Sequence, residues 1–474
     1  MVNERDDEAS HRRRWQALSV CLLAGFMTLL DVSIVNIALP SIQVSLDARE
    51  ADLQWVVSGY TLAFGLVLVT AGRIGDARGR RTVFIVGVVA FTLASMVAGL
   101  APTAHLLIAA RIVQGAAGGV INPQISGLIQ QLFQGAERGR AFGLLGTTIG
   151  ISTAIGPTLG GFLIFLGGPD HGWRWIFFVN VPVGALAVAL AIRLIPKRRT
   201  AHSRERLDPV GVVLLGTAML LLLLPLVETR ELSRSVAAVL LVLGVAFLVA
   251  FLGWENRYAR SGEPVVDPAL FRRRSFRMGF LIAMLYFAGF TAIFFIFSLY
   301  LQEGLGYTAI QAGLALSPFA IGSAIAAAVG GRLVARLGRP LVAIGLLVVG
   351  GGVAAAMVTV TVVPSGSVGW ATALPLLVAG LGSGLVVTPN ITLTLSDVPV
   401  RQGGSAGGVL QTSQRLGAAT GIAVVGSVFF STVASSDEDW SLAYRYGLLM
   451  TLGFVLFSLI VTVLDVRAGR RSAT

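Results

Sequence analysis

The chemistry of this chain must lie in the few charged side chains that fall inside its apolar runs. Asp31 stands in the run from Gln16 to Leu39, and of 24 acidic residues it alone reads as well inside a span. A carboxylate at the centre of a spanning helix costs about 2.5–3.5 kcal/mol on insertion scales, so it must face a cavity or a partner. A proton or a cation could occupy such a site, and the two would compete for one group. A structural hydrogen-bond anchor is the alternative. Arg111 is the second interior charge, with Gln114, Gly115, Gly118 and Asn122 following near its helical face. A guanidinium stays ionised. Arg111 therefore either stitches its helix to a neighbour's backbone or serves the carboxylate site. Arg415 shares a face with Gln411, one turn away, and either binds substrate or braces the bundle. If it lines a cavity, it argues against a purely cation-selective site. Gln114, Asn122, Gln411 and Arg415 are candidate cavity residues, with Trp55, Tyr60, Phe294, Phe295 and Tyr300 as candidate aromatic walls. Aromatics on such helices more often face lipid or the interface.

The helices that position these groups are announced by a loop and its worn copy. GRIGDARGRR runs from Gly72 to Arg81, and GRLVARLGRP from Gly331 to Pro340, at a constant offset of 259. Asp76 lies amid Arg73, Arg78, Arg80 and Arg81, where it can pair with arginines or cap a helix N-terminus. Such contacts could hold one conformation of two rocking halves. Ordinary charge balance in a loop is the plainer reading. The copy has Ala335 in place of the acid. Ala24–Phe26 recurs at Ala288–Phe290, and GAAGGVINP at Gly115 resembles GLGSGLVVTP at Gly380. The offset wanders by a few residues between these segments, as an old duplication would leave it, and such a repeat marks a duplicated membrane transporter. Between Gly143 and Gly161 the chain is rich in small residues that let helices approach closely. Gly156-Pro157 predicts a kink there.

Composition fits this reading. The 474 residues are 55% hydrophobic and 13% charged, with a mean hydropathy of +0.81. Soluble domains carry roughly 25% charged residues. At about 20 apolar residues per crossing, the chain divides into about fourteen spans. Of its 36 Lys and Arg, about 29 fall in alternate loops and the two tails. That asymmetry is the positive-inside rule, which predicts cytoplasmic termini. The net charge of +12 then reflects topology and anionic lipid rather than nucleic acid. A single cysteine, Cys21, excludes an internal disulfide, and the scattered histidines offer no metal-ligand spacing. No nucleotide-binding P-loop or hydrolase elbow is present. The first apolar run is long and carries Asp31, so it reads as a retained helix rather than a cleaved signal. The repeat divides the chain into a cytoplasmic tail (1–15), a six-helix bundle (16–195), an inserted helix pair with basic flanks (196–277), a second six-helix bundle (278–464) and a C-terminal tail (465–474). The inserted pair shows no interior charge. The expected fold class is an all-α integral membrane protein.

These residues resemble the major facilitator superfamily, specifically its fourteen-helix drug:proton antiporter branch. LDVSIVNIALP (Leu30–Pro40) is similar to that branch's first-helix motif, with Ser33 where threonine is common. GRIGDARGRR is similar to the superfamily loop motif, with Ala77 where a basic residue is usual. RIVQGAAGG from Arg111 is similar to the proton-coupling motif. The fifth-helix segment, ending in Gly156-Pro157 and Gly160-Gly161, is similar to the antiporter motif, with Ser152 in place of a glycine. The resemblance covers essentially the whole chain. It implies alternating access between two bundles, with proton entry driving export of amphipathic, often cationic drugs or antibiotics across the cytoplasmic membrane. Asp31 would be the proton or substrate site, and Arg111 would support proton transfer. Gly72, Asp76, Gly79, Arg80 and Arg81 would form the cytoplasmic gate. Gly156 and Pro157 would supply the kink. A dedicated exporter of an endogenous metabolite, lipid or siderophore is the alternative. The expected partners are a small-molecule substrate, protons and membrane lipid, with no nucleic acid, metal, cofactor or enzymatic activity. A monomer and one proton per cycle are expected.

Overall fold

Hydrocarbon offers no water to satisfy backbone N–H and C=O groups, so apolar runs of this length must close their hydrogen bonds within helices. A computed structural model describes residues 2–197, 208–227, 233–436 and 439–471. Its regular elements among these residues are all helices. The first six are α1 (Val2–Leu46), α2 (Glu50–Arg78), α3 (Arg80–Leu100), α4 (Ala104–Leu132), α5 (Gly135–Gly156, continuing as Thr158–Gly168) and α6 (His171–Leu194). Then come α7 (Pro209–Leu226) and α8 (Ser235–Tyr258). The last six are α9 (Arg274–Gly304), α10 (Ile310–Leu337), α11 (Arg339–Val362), α12 (Ser365–Thr394), α13 (Val400–Ser435) and α14 (Trp440–Arg471). Thirteen are long and apolar enough to cross a membrane, and fourteen when bent α5 counts as one span. The bend is 40° and falls at position 157. The Pro157 side chain lies outside the described residues, as do Arg230 and residues 198–207 of the basic flank.

The duplication is visible in how glycines let helices touch. A Cβ on Gly115 of α4 would lie 2.2 Å from the Tyr60 carbonyl oxygen of α2, and one on Gly119 would lie 2.5 Å from that of Phe64. In the second half, Gly380 and Gly384 of α12 sit equally close to the carbonyls of Phe319 and Ser323 in α10, at 2.1 and 2.4 Å. Tyr60 and Phe319 are separated by 259 residues, as are Phe64 and Ser323. This is the offset of the loop motif. On α5, a Cβ on Gly156 would meet the Ser33 hydroxyl of α1 at 2.3 Å, whereas Gly161 has open space. The two halves also meet each other through glycine. Gly72 would approach the Gly404 carbonyl at 2.3 Å, and Gly408 that of Leu68 at 2.6 Å. These contacts lie at the arginine-rich end of the bundle, called the basic end below. An open apolar cleft of ≈ 800 Å³ is lined by Thr147–Phe162 of α5 and Ser317–Ala328 of α10, which still touch where Gly150 meets Ala320 and Ala324.

Three details differ from expectation. The helix containing the first span begins at Val2, so the N-terminal segment continues it. Helix α14 continues to Arg471, so Asp465, assigned to a tail, is helical and 7% exposed. Arg274 and Arg339 both reach it, each at 2.9 Å, which explains why an acid is tolerated there. The inserted pair also carries buried charge. Glu255 in α8 accepts from Val266 N, and Asp208 caps α7 by accepting from the Val210 and Gly211 amides and from Trp254 Nε1. Both acids sit at the basic end, where helix termini supply donors. The pair packs against both halves, with α7 touching α2 and α13 through Leu62, Leu223 and Ala419.

Overpacking a tight contact costs about 1–3 kcal/mol. Gly115→Ala and Gly156→Ala should therefore lower the thermal midpoint of the purified protein, while Gly161→Ala leaves it unchanged. Equal behaviour of the three variants would contradict the packing described.

Candidate functional site

Asp31 lies where α1 meets α4 and α6, and it is fully buried. Arg111 Nη1 donates to its Oδ2 at 2.5 Å. Gln114 Nε2 and Asn180 Nδ2 donate to its Oδ1 at 2.8 and 2.9 Å. All three partners donate, which is the arrangement an ionised carboxylate accepts. Arg111 is shared further: its Nε donates to the Val56 carbonyl at 3.2 Å and its Nη1 to Gln114 Oε1 at 2.8 Å. Asn180 Nδ2 also donates to Ser95 Oγ at 3.0 Å, and Ser95 in turn donates to the Phe177 carbonyl. Donors from two helices, α4 and α6, thus close on a carboxylate of α1, with Ser95 of α3 and Val56 of α2 holding the donors in place. Gln114 was expected on a cavity wall and is instead a fully buried ligand of Asp31. Asn180 and Ser95 were missed, because a lone amide or hydroxyl in an apolar run announces no partner.

From this cluster a line of stacked groups leads to the second half. The Arg111 guanidinium lies 4.2 Å from the centroid of the Tyr60 ring. Tyr60 and Phe64, one turn apart on α2, are 6.1 Å apart and nearly parallel at 26°. The Arg415 guanidinium of α13 lies 4.5 Å from the Phe64 centroid. Two arginines from opposite halves therefore flank a pair of rings on one helix, a favourable arrangement for cation–π attraction. One turn toward the basic end from Arg415, Gln411 donates to Ser126 Oγ of α4 at 3.4 Å. Asn122 is part-buried and donates to the Gly118 carbonyl at 3.1 Å and to Thr28 Oγ1 at 3.4 Å. Gln411 thus joins α13 to α4, while Asn122 joins α4 to α1.

The remaining aromatic candidates fall elsewhere. Trp55 is 36% exposed and lies with Ile112 around Gly59, on the outer flank of α2 and α4. Phe295 packs edge-on against Phe430 of α13 at 6.3 Å, apart from the Phe290–Phe294–Phe319 group that joins α9 to α10. Tyr300 is a core residue, stacked on Tyr444 at 4.8 Å.

At the basic end, the first copy of the loop motif spans the two halves. Asp76 Oδ1 accepts from Arg80 Nε and Nη2 at 2.9 and 2.7 Å and from Gly404 N at 2.9 Å. Its Oδ2 accepts from Ser405 N at 2.8 Å. After a short 3₁₀ turn at Val400–Gln402, Gly404 and Ser405 open the α-helical part of α13, Gly403–Ser435, so the carboxylate sits on the positive end of a helix from the other half. Arg80 also donates to the carbonyls of Gly127, at 2.6 Å, and of Val400. Gly79 turns the chain at φ +100, and Gly72 allows the closest approach. Arg81 stays within its own half, donating to the Ile192 carbonyl at 2.5 Å. Arg73 pairs with Glu263. In the second copy, Arg339 donates to Asn390 Oδ1 at 2.6 Å and to the Ser275 carbonyl at 2.8 Å, and pairs with Asp465. Those partners all belong to its own half. An acid from α14 supplies what Ala335 lacks, and among the described residues only the first copy makes hydrogen bonds across to the other half.

A family model described as Major Facilitator Superfamily matches residues 21–422. The chain is 36% identical over 428 residues to the probable actinorhodin transporter of Streptomyces coelicolor, covering 90% of this chain and 74% of that protein. It is 32% identical over 430 residues to the tetracenomycin C resistance and export protein of Streptomyces glaucescens, covering 90% and 78%. Among solved structures, the human organic anion transporter MFSD10 superposes with a TM-score of 0.69 at 16% identity, over 95% of this chain and 99% of that one. At that identity the likeness speaks to fold alone. The chain belongs to the Major Facilitator Superfamily and is a multi-pass membrane transport protein, not an enzyme.

Proposed function

We propose that the protein is a proton-coupled antiporter that exports amphipathic antibiotics or drugs across the cytoplasmic membrane by alternating access. The observation that carries this reading is the buried Asp31–Arg111–Gln114–Asn180 cluster and its stacked connection to Arg415. The relatives named for antibiotic transport and export support efflux. Under the positive-inside rule the basic end faces the cytoplasm. The clasped Asp76–Arg80–Gly404 end is then the closed cytoplasmic gate, and the cleft between α5 and α10 lies on the outer side. Residues 16–195 and 278–464 act as the two rocking bundles, and 196–277 as a pair lying against both. The protein works as a monomer with no cofactor, driven by the proton gradient.

The coupling follows from electrostatics in a low-dielectric interior. With Asp31 ionised, Arg111 is neutralised and α1, α4 and α6 are drawn together. A proton on Asp31 removes the negative charge and leaves a buried guanidinium unbalanced. Breaking a buried ion pair by losing one partner costs about 3–5 kcal/mol. That penalty falls on the helix pair α2 and α4, whose Tyr60–Phe64 face meets the other half. Proton binding and rearrangement of the halves thereby become one event. A proton entering down one pH unit supplies about 1.4 kcal/mol, and a unit charge crossing 100 mV about 2.3 kcal/mol. One coupling carboxylate implies one proton per cycle. Glu303, which could have supplied a second site, is exposed.

In everted vesicles from an efflux-deficient bacterium, wild type should move fluorescent substrates with matched proton release, and Asp31→Asn should reduce both by at least about tenfold. A panel in which wild type moves a single endogenous compound and none of several drugs would replace the drug reading with that of a dedicated metabolite exporter. Proton release of two or more per substrate would overturn the single-site stoichiometry. A second prediction concerns the gate. Removing the Asp76 charge should weaken its hold on the α13 N-terminus by about 1–2 kcal/mol, a factor of about 5–30 in the closed population. Labelling of Ser126→Cys in a Cys21→Ser background should therefore accelerate by that factor in Asp76→Asn. An unchanged rate would show that Asp76 does not hold the gate.

A further inference from the structure

Arg415 has no place in the coupling chemistry so far described beyond its contact with Phe64, and its surroundings are unusual. It lies 12 residues into the continuous helix Gly403–Ser435, about 18 Å along its axis from the basic end. That is well inside a hydrocarbon layer about 30 Å thick. A guanidinium at that depth stays ionised. Three arginines of the clusters above have carboxylates, Arg111 with Asp31, Arg80 with Asp76 and Arg339 with Asp465, and Arg81 at the basic end has the Ile192 carbonyl. Among the described residues, Arg415 makes no ion pair and no hydrogen bond; its one close partner is the face of the Phe64 ring. It is nevertheless part-exposed, and its nitrogens are not among the polar side-chain atoms sealed in protein without a partner. The face it presents is the one on which Gln411 reaches across to Ser126.

The same inventory argues against a cation there. Asp31 is fully buried and saturated by three donors. Asp76 is consumed by the gate. No carboxylate beside Arg415 remains to receive a positive ligand, whereas five guanidinium donors lack acceptors. We propose that Arg415, laid on Phe64, is an anion subsite that binds the carboxylate or phenolate of an aromatic amphipathic substrate. The guanidinium's planar fork takes a carboxylate in two parallel hydrogen bonds, and the ring beneath fixes its plane. The bracing role is disfavoured by geometry, since a brace needs an acceptor on the neighbouring helix. This assignment rests on the export reading above and names the class of its substrate. It has an electrical consequence: exchanging one proton for one monoanion moves two charges, while exchange for a monocation moves none. Export would therefore draw on membrane voltage as well as on the pH gradient.

The test uses the full-length purified protein in nanodiscs and three probes on one scaffold: 9-anthracenecarboxylate, 9-anthracenemethanol and 9-anthracenemethylammonium. Wild type should bind the carboxylate roughly 10–100-fold more tightly than the ammonium. Arg415→Gln should remove that preference while keeping the affinity for the neutral alcohol, and Arg415→Lys should retain part of it. Thermal unfolding separates binding from bracing: Arg415→Gln should leave the midpoint unchanged or raised, because it deletes an unpaired charge. Equal wild-type affinity for the ammonium, or a carboxylate preference that survives Arg415→Gln, would overturn the subsite. So would a lowered midpoint accompanied by loss of all three probes. Binding needs no transport, so the two readings fail separately. An Arg415-dependent carboxylate preference without proton-linked exchange in vesicles sinks the export reading alone. Proton-linked exchange with no charge preference sinks the subsite alone.

Discussion

The structure depends on one buried ion pair. Asp31 and Arg111 meet at 2.5 Å with neither side chain more than 2% exposed, and everything around them exists to make that tolerable. Gln114 and Asn180 satisfy the second carboxylate oxygen. The Val56 carbonyl and the Tyr60 ring occupy the rest of the guanidinium. Such a pair is poor evidence for stability, because two well-packed apolar residues would often do as well. In the proposed mechanism its value lies in being breakable by a proton. The glycines at 115 and 119 bring α2 hard against α4, so a change at Arg111 is carried by rigid, close-packed backbone.

The two halves have the same framework and different electrostatics. Both copies of the loop motif turn at a positive-φ glycine, Gly79 and Gly338, and both follow it with an arginine. In the first copy Asp76 ties Arg80 to the first α-helical turn of α13. In the second copy the acid comes from Asp465, and the arginine is held within its own half. One clasp across the basic end is easier to release than two. Asp208 and Glu255 anchor the inserted pair at the same end, so the charged groups that fix helix ends are concentrated where the halves meet.

Much of this was legible in the sequence. The spans follow from the cost of placing polar backbone in hydrocarbon, and the repeat from glycines that both copies need where α2 crosses α4 and α10 crosses α12. Asp31, Arg111 and Asp76 stood out because a charge in an apolar run demands a partner. The partners themselves were harder to read. Asn180 is an ordinary amide until α6 is known to lie beside α1. Asp465 looked like tail because hydropathy falls before the helix ends. Gln114 was placed on a wall, and Trp55 and Phe295 near a cavity. Hydropathy fixes that a helix spans but not how it is rotated about its axis.

The central claim is that the conformation in which Asp31 carries a proton and the conformation that binds substrate exclude each other. It is tested most directly at equilibrium, without a membrane gradient, by adding a transported substrate to purified protein in weakly buffered detergent and titrating the protons released. The account predicts one proton released per substrate bound by wild type and none by Asp31→Asn. The same release from both would contradict it, and would mean that the proton is held elsewhere.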